Sequence, residues 1–138
     1  MKVWLNKLRK FISLTWEEKS NFLQAAYALI YISILLRVLN FAKFKSYFKK
    51  FQAYNSTNLN ETKYKEAIQK AAQIVPSTFT CLPQALAFKQ QFSNSKLVIG
   101  VQPSHKKRLD AHAWVERDGQ ILIGEVPNFE YLPLWIWE

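Results

Sequence analysis

Cysteine is almost absent from this 138-residue chain: Cys81 stands alone. That excludes an internal disulfide and suits a reducing compartment. Glycine and proline are also sparse, at three and five residues, so tight turns are few. Acids are outnumbered, ten Asp and Glu against nineteen Lys and Arg, for a net charge of +9. No signal peptide is expected, because the apolar start Val3-Trp4-Leu5 is broken at once by Asn6-Lys7. The longest apolar run, Phe22 to Leu36, falls short of the roughly 20 residues a membrane span needs. It contains Gln24 and Ser33 and is closed by Arg37, so a central, well-buried helix is expected.

What is present is a globular composition, 49% hydrophobic, sized for one domain over residues 1–138. The basicity is lopsided. Residues 1–50 carry ten Lys and Arg against Glu17 and Glu18, or +8; residues 51–138 carry nine against eight acids, or +1. Such a patch can serve anionic lipid, nucleic acid or an acidic partner, or form a solvated helix surface.

Thr15 is a candidate N-cap, with Glu18 three residues on forming a capping box. The helix it opens is apolar nearly all round, and the basic residues on both sides of it leave room for peripheral membrane contact. Phe41, Phe44, Tyr47, Phe48 and Phe51 recur at helical spacing among lysines. That spacing favours a core stripe over nucleic-acid stacking. Residues 53–61 read as a polar linker between a helical region, 1–52, and a second half, 62–138. A helix is expected from Thr62 to Val75, another from about Thr80 to Phe92, a strand at 96–101, and a hairpin over 111–124 turning at Asp118-Gly119. The fold class is therefore α+β.

Cys81 falls in the first turn of its helix, behind a candidate N-cap at Thr80. Free N–H groups and the helix dipole stabilise a thiolate there; a buried, inert cysteine is the bland alternative. His112 follows thirty-one residues later in Asp110-Ala111-His112-Ala113-Trp114-Val115-Glu116. A two-residue turn pairs Arg117 with Gln120, Val115 with Leu122 and His112 with Glu125, which places a carboxylate beside the imidazole. Cys81, His112 and Glu125 then form a nucleophile, base and orienting acid. Asp110, on the same face as His112, is the competing orienter. Asp118 reads as a turn residue, Glu116 as solvated, and His105 as surface.

The segments Cys81-Leu82-x-x-Ala85-Leu86-Ala87, Leu97-Val98-Ile99-Gly100-Val101 and Ala111-His112-Ala113-Trp114-Val115-Glu116-x-Asp118-Gly119 resemble the lasso-peptide leader peptidases. These are the B-type maturation proteins of the transglutaminase-like cysteine-protease superfamily. The resemblance spans roughly residues 76–125 and is loose over the helical first half. Two positions depart from it. Gln84 stands where the family usually has arginine. Gly124 stands where its Asp usually follows the histidine by about a dozen residues.

The resemblance implies a transglutaminase/papain-like minimal core and a cytoplasmic cysteine endopeptidase without metal or cofactor. Such an enzyme frees the α-amine that an ATP-dependent macrolactam synthetase joins to a carboxyl side chain. A separate leader-recognition-element protein would present the precursor peptide leader, as these 138 residues carry no such module. A transglutaminase or acyltransferase, using the same thiolate, and a noncatalytic basic partner-binding module are the rival classes.

Overall fold

The computed structural model describes residues 1–52, 59–103, 109–127 and 130–138. Most of the expected linker and the loop holding His105 lie outside the described residues. Among the described residues, five helices come first: α1 (Lys2–Ile12), α2 (Trp16–Val38), α3 (Phe41–Gln52), α4 (Glu61–Ala72) and α5 (Cys81–Gln91). Four strands follow: β1 (Lys96–Pro103), β2 (Leu109–Arg117), β3 (Gln120–Ile123) and β4 (Leu132–Trp137). They form one antiparallel sheet ordered β3-β2-β1-β4. The class is α+β, as expected.

Local chemistry sets the helix starts. Thr15 Oγ1 accepts from the Glu18 N–H at 3.2 Å, and Glu18 Oε2 accepts from the Thr15 N–H at 2.8 Å. This capping box satisfies two donors at the start of α2, and the bond from the Thr15 backbone holds the Glu18 carboxyl below its ordinary value. Asn60 Oδ1 caps α4 through the Lys63 N–H at 3.1 Å.

α5 lies against β2, and α2 and α4 pack on each other and on α5. Leu29, Ile68, Leu86, Phe88, Leu97 and Val115 meet in one core cluster with almost no exposure. α2 runs 23 residues from Trp16, as the Thr15 cap and the closing Arg37 lead one to expect, and is apolar and long enough to cross a membrane by composition. One side of it, Ala25, Leu29 and Ile32, is sealed in the core, whereas its outer side is exposed. The expectation of a well-buried helix holds for that inner side only.

Two elements were missed in the sequence. α1 opens on Val3-Trp4-Leu5, an apolar run that Asn6-Lys7 interrupts in the sequence. β4 contains Pro133, which demotes a run to an edge strand or none. It is an edge: Pro133 pairs with Gly100, and a register shift between Ile99 and Gly100 accommodates it. Lys89 also departs from habit. It is fully buried, its Nζ donates to the Ser95 carbonyl at 2.6 Å, and burial lowers its pKa.

Trp114 is buried on the sheet face opposite Ala113 and Val115 and lies across Gly100. A Cβ at Gly100 would sit 2.6 Å from Trp114 Cη2 and 2.8 Å from the Leu132 carbonyl oxygen. Gly100→Ala should therefore cost about 1–3 kcal/mol through overpacking. Thermal unfolding checks this, and an unchanged melting temperature would contradict it.

Candidate active site

The sequence makes Cys81 the first residue of α5. Thr80 is the N-cap by position, but its side chain makes no capping hydrogen bond. The first-turn N–H groups of a helix have no intrahelical partner, and Pro83 at the third position carries none. Cys81 is half-buried and reduced. Gln84, one turn on, donates through Nε2 to the Phe79 carbonyl at 2.8 Å and so braces the entry to the helix.

His112 comes from β2, an inner strand. The ladder between β2 and β3 covers only Val115–Arg117. Before Val115, the β3 side of β2 has no ladder pairing among the described residues, and a cleft lies there. Cys81, Gln84 and Ala85 from α5 line it with His112 from β2, Ile123, Gly124 and Glu125 from the end of β3, and Gln69 from α4. The structure thus brings Cys81, His112 and Glu125 to one cleft. A larger depression between the start of α2 and α4 holds neither cysteine nor histidine, and its Lys63 is paired with Glu17 at 3.1 Å. Among the described residues no three His, Cys, Asp or Glu gather closely enough to hold a metal ion.

The turn is as expected: Asp118 and Gly119 have φ of 51° and 77°, the left-handed pair a two-residue hairpin takes. Arg117 pairs with Gln120 and Glu116 with Ile121. The register then shifts, so that Val115 pairs with Ile123 and not with Leu122. This irregularity inserts one residue into β3 and offsets everything beyond it by one position. The pairing of His112 with Glu125 is therefore corrected: Glu125 is an exposed residue of the cleft, not the cross-strand partner of the imidazole.

The atom against the ring belongs to the backbone. His112 Nε2 donates to the Gly124 carbonyl oxygen at 2.6 Å. A carbonyl only accepts, so the proton is on Nε2, and Nδ1 is the basic nitrogen of the neutral ring. Gly124 has φ +95°, and a Cβ there would meet the Ala113 oxygen at 2.8 Å and Trp114 Cβ at 2.9 Å. No side chain fits at this position without rearrangement.

Asp110 is engaged elsewhere. Its Oδ2 accepts from Tyr131 Oη at 2.8 Å and from Gln102 Nε2 at 3.5 Å. Tyr131 in turn packs on His112, with ring centroids 5.0 Å apart. The hydrogen bond to Asp110 raises the pKa of the Tyr131 hydroxyl. Glu116, expected to be solvated, accepts from Trp114 Nε1 at 3.0 Å. Trp114 stacks near the imidazole, 6.3 Å between centroids. Tyr131 was not found from the sequence; the one trace of it is the aromatic run at Tyr131, Trp135 and Trp137. Gly124 carried a signal, a scarce glycine one residue beyond a strand.

The family model described as the transglutaminase-like superfamily matches residues 26–135, well over half the chain. No curated protein and no solved structure matches. With α5 carrying a cysteine at its start against a sheet carrying a histidine on an inner strand, and the match running through both, the chain belongs to the transglutaminase-like superfamily.

Proposed function

We propose that this protein is a cysteine endopeptidase that removes the leader from a ribosomally made lasso-peptide precursor. The observation that carries the reading is the cleft where Cys81, at the first position of a helix, and His112, tied through Nε2 to the Gly124 carbonyl, both stand. Membership of a superfamily whose members are often cysteine-dependent enzymes supports the reaction class. The finer assignment rests on the Cys-Leu and His-Ala-Trp-Val-Glu segments.

The steps follow from the atoms. His112 Nδ1 takes the Cys81 proton, and the thiolate attacks the scissile carbonyl carbon. The oxyanion is held by N–H groups of the first turn of α5, which have no intrahelical partner. The C–N bond breaks, and the imidazolium gives its proton to the leaving amine, which becomes the free end of the core peptide. Water, deprotonated by the same imidazole, then attacks the thioester and releases the leader as an acid.

Gly124 supplies what an orienting acid supplies in geometry, a fixed tautomer and ring plane. It lacks the full negative charge that would also steady the imidazolium. The partners of the reaction are the precursor leader, a separate leader-recognition-element protein and the macrolactam synthetase that uses the freed amine.

Alkylation tests the nucleophile. Iodoacetamide near neutral pH should modify Cys81 and abolish cleavage in parallel, because the chain has one cysteine. Cleavage that survives complete alkylation would overturn the proposal.

A further inference from the structure

α1 plays no part in the cleft and none of its residues is buried. Residues 1–16 hold Lys2, Lys7, Arg9 and Lys10 and no acid. At 3.6 residues per turn, Trp4, Leu5, Leu8, Phe11 and Ile12 fall on one face of this helix. Arg9 borders that face on the Leu5 side and Lys7 borders it on the Phe11 side; Lys2 and Lys10 occupy the far side. Trp4 is 72% exposed, Leu5 58%, Leu8 49% and Ile12 69%. Phe11 alone is anchored, against Phe22 with centroids 5.3 Å apart.

α2 also carries exposed apolar surface. Leu23, Tyr27, Ile30, Ile34 and Val38 form a stripe at three- and four-residue spacing, opposite the side that enters the core, and each is at least half exposed. Tyr27 stacks on Tyr31, and Tyr31 meets Phe51 edge-on at 5.3 Å, which links the stripe to the lysine-rich α3.

We propose that α1 is an interfacial helix that docks the protein on an anionic lipid surface. Charge complementarity decides the occupant. The apolar face would enter the boundary between headgroups and acyl chains, while Lys7 and Arg9 at its edges reach the negative headgroups. Trp4 is of the type that settles at that level. A nucleic acid would engage the basic side alone and leave Trp4, Leu8 and Ile12 in water. The inference does not rest on the peptidase reading and stands or falls separately from it.

The test is sedimentation of the full chain with vesicles of phosphatidylcholine alone or mixed with phosphatidylglycerol. The protein should partition onto the anionic vesicles, and added salt should weaken that binding. Leu8→Glu with Ile12→Glu should release the protein. Lys7→Glu with Arg9→Glu should lower partitioning by more than about twentyfold, since each basic side chain at such a surface is worth about a factor of five.

All four substitutions fall on side chains outside the core, so melting should not change. Failure to bind anionic vesicles, or undiminished binding by the Leu8→Glu/Ile12→Glu protein, would overturn the proposal. So would a vesicle-independent dimer in light scattering that those two substitutions dissolve, because the face would then belong to a second copy of the chain.

Discussion

Cys81→Ala and Cys81→Ser are each expected to abolish precursor cleavage, a loss of about 10⁴-fold or more, with the fold intact. The sulfur is half-buried at a helix start, and either replacement keeps the backbone and most of the packing. The stability change should stay within about 1 kcal/mol. His112→Ala should be nearly as damaging, because among the described residues no other imidazole lines the cleft of the thiol. The two changes should not add: the double variant should be no worse than either single one, as expected of groups acting as one unit. Single-turnover cleavage with circular dichroism melting reads all four proteins. Wild-type cleavage by Cys81→Ala would remove the nucleophile from the account, and a double variant far below both singles would separate the two residues.

Gly124→Ala should be the next most damaging change, and for a reason no carboxylate shares. At φ +95° a side chain is strained by about 1–3 kcal/mol, and the new Cβ would stand 2.8 Å from the Ala113 oxygen. Relief of that contact must move the segment whose carbonyl holds the His112 ring. Cleavage should fall more than about tenfold, and the nitrogen-15 resonances of His112 should report loss of the pure Nε2–H tautomer. That second readout separates positioning from a simple loss of stability.

Glu125→Gln and Asp110→Asn should each retain activity within about tenfold. Losing an orienting Asp in a serine system costs about 10⁴, whereas here the ring is already fixed by the backbone. An inactive Glu125→Gln enzyme beside an active Gly124→Ala enzyme would return the role to the acid.

The sequence made much of the helical layer readable, because the signals there are local. Thr15 and Glu18 specify the start of α2 between themselves, and the Phe44 and Phe48 spacing names the buried face of α3. The turn at Asp118-Gly119 was readable for the same reason. The register beyond it was not. An extra residue in β3 is selected by what packs on both faces of the sheet, and Ile121, Leu122 and Ile123 would each serve as a strand residue.

The identity of the atom on His112 depended on that one residue, so Cys81 at a helix start and His112 on an inner strand were legible, and the carbonyl that meets the ring was not. Lys89 and Tyr131 share a further cause. Their partners, the Ser95 carbonyl and Asp110, are supplied by tertiary folding, and the sequence marks neither pairing. β4 was hidden by Pro133, which is tolerated only because the strand lies at an edge.

The most direct test of the central claim is mass spectrometry of the proposed precursor peptide after incubation with this protein and the proposed leader-recognition protein, with a free amine added in excess. The account predicts one cut, a leader ending in a carboxylic acid and a core peptide beginning with a free amine, with no product from the Cys81→Ala protein. A precursor left uncut, or a leader carrying the added amine on its new end in place of the acid, would contradict it.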